Sequence, residues 1–201
     1  MSSSIPIVCK SKFEIHNRKY VSVGYLVNKD ISIVVLIKSG KNVFTLDLKN
    51  WSDLMCETNF NLILKNLQSR SKCPPVELNE NLFYSINAKF SSISLKLNNN
   101  SITLSIIDLC RLKQIQVCIE SNIIEKQKKL NYYQSCYKLF YENLKNLISN
   151  LPASCQSNAF THQFIQNYSY DSDFEDMSLI SEIQQFQYST LSDLILQDLY
   201  Q

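Results

Sequence analysis

Lysines and aromatic residues are interleaved in the first part of the chain, among β-branched residues. The basic residues concerned are Lys19, Lys29, Lys38 and Lys41. Ammonium groups can follow a phosphate backbone, and each base stacked on an aromatic ring contributes about 1–3 kcal/mol. This combination predicts a surface for single-stranded nucleic acid. The alternatives are that the lysines are plain surface charges and that Tyr20 and Trp51 belong to a core or an interface.

No group of residues in the sequence suits catalysis. The two histidines, His16 and His162, lie far apart, and neither suggests a catalytic triad. With only two glycines there is no glycine-rich phosphate loop. The acidic run at residues 171–176 lacks the glycine turn and terminal glutamate of a calcium loop, and no Cys-x-x-Cys pair is present. We therefore expect no enzyme activity, no cofactor and no metal site.

Charge is divided unevenly between the body of the chain and its C-terminal end. Residues 1–150 carry 20 Lys and Arg against 11 Asp and Glu, whereas residues 151–201 carry none against seven. A basic body with an acidic tail favours a polyanionic partner and a tail that competes for the same surface. An ordinary solvated surface with an acidic end is the alternative.

Cysteine usage and hydropathy limit the cellular compartment. Seven cysteines make an odd number without metal-like spacing, which favours reduced thiols inside a cell. No apolar run reaches membrane-spanning length, and the first residues lack the charged start and apolar core of a signal peptide. We expect a soluble protein without a membrane partner, either nuclear or cytoplasmic.

An extended pattern follows a flexible arm that we expect at residues 1–11. Aromatic and β-branched residues dominate it, and Asn, Asp, Ser and Gly mark the turns. The pattern predicts three strands, at residues 20–26, 31–37 and 43–48. A helix follows, beginning at Trp51 with Asn50 as its N-cap and continuing to Leu67. Two prolines then end the helical pattern, so we place the first unit at residues 12–70.

A second unit repeats the same order about 60 residues later. Residues 103–112 match residues 45–54 at a constant offset of 58, and residues 83–86 match residues 20–23 at an offset of 63. The pattern indicates a duplication, with chance similarity between short strand–helix segments as the alternative. We place this second, degenerate unit at residues 76–151.

The C-terminal third divides into a helix and an acidic tail. Residues 133–151 carry an apolar stripe at helical spacing, which predicts a core-packing helix. Residues 152–201 are rich in Ser, Gln, Asp and aromatic residues, and we expect them to be partly disordered, above all at 168–176. One helical face is available in this tail, formed by Leu191, Leu194, Ile195 and Leu199.

The first unit resembles the single-stranded-DNA-binding domain of the transcriptional coactivator family named positive cofactor four. The likeness covers about a quarter of the chain and is carried by Phe13-x-Ile15, Tyr20-Val21-Ser22-Val23, Ile31-x-Ile33, Gly40-Lys41, Phe44-Thr45-Leu46 and Trp51-x-x-Leu54. The resemblance implies a curved four-stranded antiparallel sheet followed by a helix. It also implies dimerisation through the helices and a groove for a single strand on each sheet.

Position by position, the resemblance places Lys19, Lys29 and Lys41 where the family has basic residues near the DNA. Leu26 replaces a base-stacking phenylalanine, and its neighbour Tyr25 is a candidate to take over the stacking role. Other positions where the family has basic residues hold Asn17, Val35 and Asn42. The expected nucleic-acid-binding residues are therefore Lys19, Tyr25, Lys29, Lys38 and Lys41.

The second unit would supply the partner half within the same chain. We expect an α+β protein in which two tandem antiparallel-sheet-plus-helix units, each ββββα-like, form an intramolecular pseudo-dimer with an acidic C-terminal tail. A homodimer of whole chains is the alternative. The expected function is binding of single-stranded DNA, or of a melted duplex, in transcription regulation as a coactivator or in replication.

Two other functions fit the sequence. In one, the chain is an interaction protein similar to a transcription factor, whose acidic tail contacts transcription or replication proteins. In the other, it is a structural dimerisation module that does not bind nucleic acid. The expected localisation is nuclear, or cytoplasmic if the protein is viral or of bacterial type.

Overall fold

Two antiparallel sheets and six α-helices form the part of the chain that the structure describes. The structure is a computed structural model, and it describes residues 7–16, 18–69, 74–152, 157–168 and 178–200. Each sheet has four strands in sequential spatial order. The predicted α+β class and the pair of antiparallel sheets are therefore confirmed.

The first sheet is built by consecutive hairpins. Its strands are β1 (Ile7–His16), β2 (Lys19–Val27), β3 (Ile31–Ser39) and β4 (Asn42–Asp47). The strands predicted from the sequence correspond to β2, β3 and β4. The flexible arm expected at residues 1–11 is wrong for residues 7–11, because Ile7 and Val8 are buried in the core and begin a strand. Residues 1–6 lie outside the described ranges.

Two helices, rather than one, follow β4. They are α1 (Leu48–Met55) and α2 (Glu57–Ser69). The helical conformation is interrupted between them at Cys56, whose ψ of 142° is not helical. Asp47, not Asn50, is the N-cap, and its carboxylate accepts a 2.7 Å hydrogen bond from the backbone N–H of Asn50. The side-chain oxygen of Asn50 accepts instead from the amide of Asn79, at 2.9 Å.

The second sheet repeats the hairpin geometry of the first. Its strands are β5 (Val76–Glu77), β6 (Leu82–Asn87), β7 (Ser92–Leu97) and β8 (Asn100–Ser105). Every residue pair of β3 and β4 corresponds, at an offset of 58, to a residue pair of β7 and β8. The two hairpin turns also agree, since Gly40 and Asn98 occupy the same position with φ values of 60° and 51°.

One continuous helix, α3 (Ile106–Ser149), contains most of the segment that matches the start of the first unit's helix and most of the helix predicted at residues 133–151. No Gly or Pro interrupts its 44 residues. Its start is capped by Ser105, whose backbone N–H donates to the Asp108 carboxylate at 2.7 Å and whose hydroxyl accepts from the Asp108 N–H at 3.2 Å. Within the described ranges, no helix combines the length and the apolar content needed to cross a bilayer, and this includes α3.

Three helices occupy most of the C-terminal part. They are α4 (Asn158–Asn167), α5 (Ser178–Phe186) and α6 (Tyr188–Tyr200). These segments belong to the tail that was expected to be partly disordered, and the helical face expected at Leu191, Leu194, Ile195 and Leu199 lies on α6. Many of their apolar residues recur at helical spacing and are buried. The buried residues are Ile165, Leu179, Ile180, Ile183, Leu191, Ile195 and Leu196. Residues 153–156 and 169–177, which include most of the segment expected to be disordered, lie outside the described ranges.

The chain divides into two compact units that differ from the expected domains at 12–70, 76–151 and 152–201. A two-sheet unit consists of Ser11–Val23 and Val34–Ile124. A helical unit contains Gly24–Ile33, Glu125–Gln201 and the described residues among Met1–Lys10. The boundary crosses the elements because β1, β2, β3 and α3 each continue from one unit into the other. Within the two-sheet unit, β4 and β8 lie next to each other.

Candidate nucleic-acid interface

A tyrosine between two lysines marks the outer face of the first sheet. Tyr20 on β2 is half-buried, and the ammonium group of Lys12, on β1, lies 4.2 Å from its ring centroid. Lys38 on β3 lies 5.7 Å from the same centroid. Three adjacent strands therefore bring these side chains together, because β2 lies between β1 and β3 in the sheet. We call Lys12, Tyr20 and Lys38 the Tyr20 cluster.

The surroundings of the Tyr20 cluster are basic. Lys41 is exposed in the turn that joins β3 and β4, and Arg18 is exposed in the turn before β2. The sequence of the two-sheet unit contains 13 Lys and Arg against eight Asp and Glu, whereas that of the helical unit contains seven against ten. The positive potential needed to attract a polyanion therefore belongs to the unit that carries the Tyr20 cluster.

The second sheet carries two aromatic–lysine pairs of its own. Phe83 on β6 lies directly opposite Lys96 on β7, at the positions equivalent to Tyr20 and Lys38. In the turn between β6 and β7, the ammonium group of Lys89 lies 5.5 Å from the ring centroid of Phe90. Phe90 is 66% exposed, so its ring is accessible to a base.

Lys19 forms a structural ion pair rather than an open phosphate contact. Its ammonium group donates to the Asp108 carboxylate at 2.6 Å and to the carbonyl oxygen of Thr103 at 3.3 Å. Asp108 is only 1% exposed, and burial by itself raises the pKa of its carboxyl group. The hydrogen bonds from Lys19 and Ser105 outweigh that effect, so the pKa lies below its ordinary value.

Tyr25 is a core residue, and its expected role as a base-stacking ring is wrong. The side chain is 1% exposed, and its hydroxyl donates to the carbonyl oxygen of Lys126 at 2.9 Å. The ring meets Tyr133 edge to face, with centroids 5.2 Å apart. Both neighbours belong to α3, so Tyr25 fixes the β2–β3 hairpin to the helix within the helical unit.

Lys29, in the turn between β2 and β3, is exposed but already paired. Its ammonium group lies 2.7 Å from a carboxylate oxygen of Asp198 on α6. The hydroxyl of Tyr141 donates to the other oxygen at 3.0 Å. The hydrogen bonds from Lys29 and Tyr141 lower the pKa of Asp198. Lys29, which was predicted to contact phosphate, is therefore already paired with the carboxylate of Asp198 on a C-terminal helix.

The five residues predicted from the sequence do not form one described site. In the two-sheet unit Lys41 is exposed and Lys38 is half-buried, whereas Lys19 is held by Asp108. Tyr25 and Lys29 belong to the helical unit. Lys12, Lys89 and Phe90 are further candidate contacts that were not predicted from the sequence. Lys12 lies in a segment expected to begin with a flexible arm, whereas β1 is a strand whose central part exposes every second residue.

Contacts within the two-sheet unit pair equivalent positions of the two sheets. His16 Nδ1 lies 3.8 Å from the Asp108 carboxylate, and the amide of Asn79 donates to Asn50 Oδ1 at 2.9 Å. At the offsets of 63 and 58, Asn79 is the equivalent of His16 and Asp108 is the equivalent of Asn50. The two contacts therefore join equivalent positions of the two repeats in opposite directions, although only Asn79 to Asn50 is a hydrogen bond.

Among the residues that the structure describes, no group of three or more His, Cys, Asp and Glu side chains has the geometry of a metal site. Comparison with models of protein families, with curated proteins and with solved structures found no match. The assignment of function therefore rests on the residues and contacts described above.

Proposed function

We propose that this chain binds single-stranded nucleic acid on the outer faces of its two sheets, with the Tyr20 cluster as the principal contact. The observation that carries the proposal is the placement of Tyr20 between the ammonium groups of Lys12 and Lys38, at 4.2 and 5.7 Å. Binding without sequence preference requires this combination of cations along a backbone path and aromatic faces for bases. Lys41 extends the basic path along the edge of the sheet.

The energies favour exchange of the lysine–ring contacts for a nucleic acid. An exposed cation–π contact contributes about 0.5–1 kcal/mol, whereas a base stacked on an aromatic ring contributes about 1–3 kcal/mol. When a base covers Tyr20, Lys12 and Lys38 turn towards phosphates and retain a charge partner. The lysines thus protect the ring in the unbound protein and contact the backbone in the complex.

The two sheets with their helices are proposed to form an intramolecular pseudo-dimer of the kind that the resemblance to the positive cofactor four family implies. The support is the reciprocal pair of contacts, His16 to Asp108 and Asn79 to Asn50, at equivalent positions. A two-fold interface has this property, because a contact from residue i to residue j is repeated from j to i. The first sheet, which carries the Tyr20 cluster, would then bind nucleic acid more strongly than the second.

The proposal includes a role in transcription regulation, as a coactivator, or in replication. It places the protein in the nucleus, or in the cytoplasm if the protein is viral or of bacterial type. Single-stranded DNA and melted duplex are the substrates that such a surface fits, since stacking requires unpaired bases. The pairing of Lys29 with Asp198 supports a regulatory role for the acidic C-terminal part, which would compete with DNA for this lysine.

Oligonucleotide binding followed by fluorescence anisotropy at two salt concentrations tests the proposal. We expect Tyr20→Ala to weaken binding to an oligothymidylate by about 5- to 150-fold, because it removes about 1–3 kcal/mol of stacking. The double variant Lys12→Ala/Lys38→Ala should lower the salt dependence, with a slope reduced by about 1.4 for two lost phosphate contacts.

The matched control is Lys49→Ala/Lys65→Ala, which removes the same charge from exposed positions on α1 and α2 in the same unit. Equal losses in the two double variants would show that only net charge matters and would refute a site at Tyr20. The absence of any binding at low salt would favour the structural dimerisation module.

A further inference from the structure

The first half of α3 carries a row of exposed residues along its outer face. They recur at alternating steps of three and four residues, which is the spacing of a coiled-coil seam. The row consists of Ile107, Cys110, Gln114, Val117, Ser121 and Ile124, all of them exposed and all within the two-sheet unit. We call these six residues the α3 stripe.

The apolar members of the α3 stripe face water. Ile107 and Ile124 are 57% and 53% exposed, and Val117 between them is 71% exposed. The core of the unit is served by the opposite side of the same helix, which carries the fully buried Leu109 and Leu112. One apolar face is enough to pack a helix onto its own domain, so a second face with a regular seam spacing suits a second helix.

One edge of the α3 stripe carries charges of both signs. Lys113 and Glu120 lie seven residues apart, at the same heptad position. The Lys113 ammonium group contacts the Met55 carbonyl oxygen at 3.5 Å, and the Glu120 carboxylate accepts from the Gln116 amide at 2.6 Å. An ammonium group has further donors and a carboxylate has further lone pairs, so each can take another partner.

We propose that the α3 stripe is a dimerisation surface, which pairs with the α3 stripe of a second copy of this chain in an antiparallel coiled coil. In this register Ile107 lies opposite Ile124 of the second copy, and Ile124 lies opposite its Ile107. An isoleucine pair therefore closes each end of the seam. The inner layers join Cys110 to Ser121, whose small side chains let the helices approach closely. The arrangement is two-fold symmetric, as a closed homodimer interface must be.

Charge selects this occupant and this direction. In an antiparallel pair the same edges of the two helices come together, so Lys113 of each copy lies beside Glu120 of the other. Two ion pairs of opposite sign then flank the seam. In a parallel pair opposite edges meet, and Lys113 would lie beside Cys118 without gaining a charge partner. The α3 stripe is thus complementary to itself only in the antiparallel direction.

The proposal does not depend on nucleic-acid binding, and it is tested with the full chain without oligonucleotide. Sedimentation equilibrium in reducing buffer should show a concentration-dependent dimer. Val117→Glu places a carboxylate within the seam of both copies, so we expect the dissociation constant of the dimer to rise by about 30-fold or more. The matched control is Leu62→Glu, which introduces the same charge at an exposed leucine on α2 of the same unit and should leave the dimer unchanged.

Disulfide cross-linking tests the register independently of affinity. The background is Cys56→Ser/Cys118→Ser, which leaves Cys110 as the one exposed cysteine among the described residues. With oxidised glutathione as the oxidant, Ser121→Cys should give a covalent dimer through Cys110 of one copy and the cysteine introduced at position 121 of the other. Further substitution of Cys110→Ser should abolish this dimer. Ser52→Cys, at an exposed position on α1, is the control that should not produce it.

Three results would overturn the proposal. The first is a wild type that stays monomeric at its highest soluble concentration. The second is equal weakening of the dimer by Val117→Glu and Leu62→Glu. The third is cross-linking through Cys110 without the cysteine at position 121, because only a parallel pair brings Cys110 next to its own equivalent.

Discussion

Lys113 Nζ lies 3.5 Å from the carbonyl oxygen of Met55, and the two residues are equivalent positions of the repeats, 58 residues apart. Contact between a position and its own equivalent is what a two-fold interface produces close to its axis. Together with the reciprocal contacts of Asp108 and Asn50, this supports the proposed pseudo-dimer. The two contacts have nevertheless diverged, because one places an imidazole beside a carboxylate and the other joins two neutral amides.

The contact at Asp108, whose carboxylate also forms an ion pair with Lys19, should be the more sensitive to substitution. We expect Asp108→Asn to lower the free energy of unfolding by about 2–3 kcal/mol, somewhat less than for a fully buried pair because the Lys19 side chain retains 21% of its exposure. Urea denaturation measures the change. Glu57→Gln removes an exposed carboxylate from the first turn of α2 and should cost less than about 1 kcal/mol. Equal destabilisation by the two variants would argue against a structural role for the ion pair.

Acid should weaken the fold through the same carboxylate. The pKa of Asp108 is lower in the folded protein than in the unfolded chain, so the unfolded state takes up a proton first as the pH falls. The stabilisation is therefore complete above the ordinary carboxyl pKa of about 4 and is lost as the pH falls below it towards the depressed value. Urea midpoints of wild type and Asp108→Asn should converge between pH 7 and pH 3. A constant difference between them would contradict this assignment.

Tyr25 and Tyr20 should give opposite phenotypes. Tyr25→Ala is expected to lower the free energy of unfolding by about 3–5 kcal/mol, because the ring is buried against α3. Tyr25→Phe removes only the hydrogen bond to Lys126 and should cost about 1 kcal/mol while leaving oligonucleotide affinity unchanged. Tyr20→Ala should instead lower affinity with little effect on the denaturation midpoint. If folded Tyr25→Phe binds the oligonucleotide more weakly than the wild type, Tyr25 does contact the nucleic acid.

Competition between the C-terminal part and DNA can be tested at one carboxylate. Asp198→Asn weakens the hold on Lys29, so we expect severalfold tighter oligonucleotide binding and a salt slope larger by about 0.7, the value for one added phosphate contact. Asp193→Asn is the control, since it makes the same charge change at an exposed position of α6. If both variants tighten binding equally, general charge and not release of Lys29 is responsible.

The phase of alternation in β2 explains both what the sequence predicted and what it missed. Residue types predicted the strand, and the second copy at offsets of 63 and 58 predicted the repeated hairpin. The prediction of the binding residues did not take into account which residues of β2 lie on the same face of the sheet. Tyr25 lies in phase with Val21 and Val23, which face the core, whereas Tyr20 has the opposite phase. Alternation alone could therefore have indicated that Tyr25 points inward.

The C-terminal helices and the Asp108 contacts were harder to predict. The spacing of Leu191, Leu194, Ile195 and Leu199 indicated a helical face in what is now α6, but the composition of the tail does not show which residues the packing of α5 and α6 buries. The Lys19–Asp108 pair joins residues 89 positions apart. Such a pair depends on the tertiary fold, and no local pattern identifies it.

The second sheet should contribute to binding through Phe90. Phe90→Ala removes a 66% exposed ring, so we expect a change in unfolding free energy within about 0.5 kcal/mol. If the ring stacks on a base, affinity for an oligonucleotide that reaches both sheets should fall by about 5- to 150-fold. An oligonucleotide short enough to occupy only the Tyr20 cluster should bind Phe90→Ala as well as it binds the wild type. Phe186→Ala, in the helical unit, serves as the control for loss of an exposed phenylalanine. Unchanged affinity of Phe90→Ala for the long oligonucleotide would restrict the proposed binding to the first sheet.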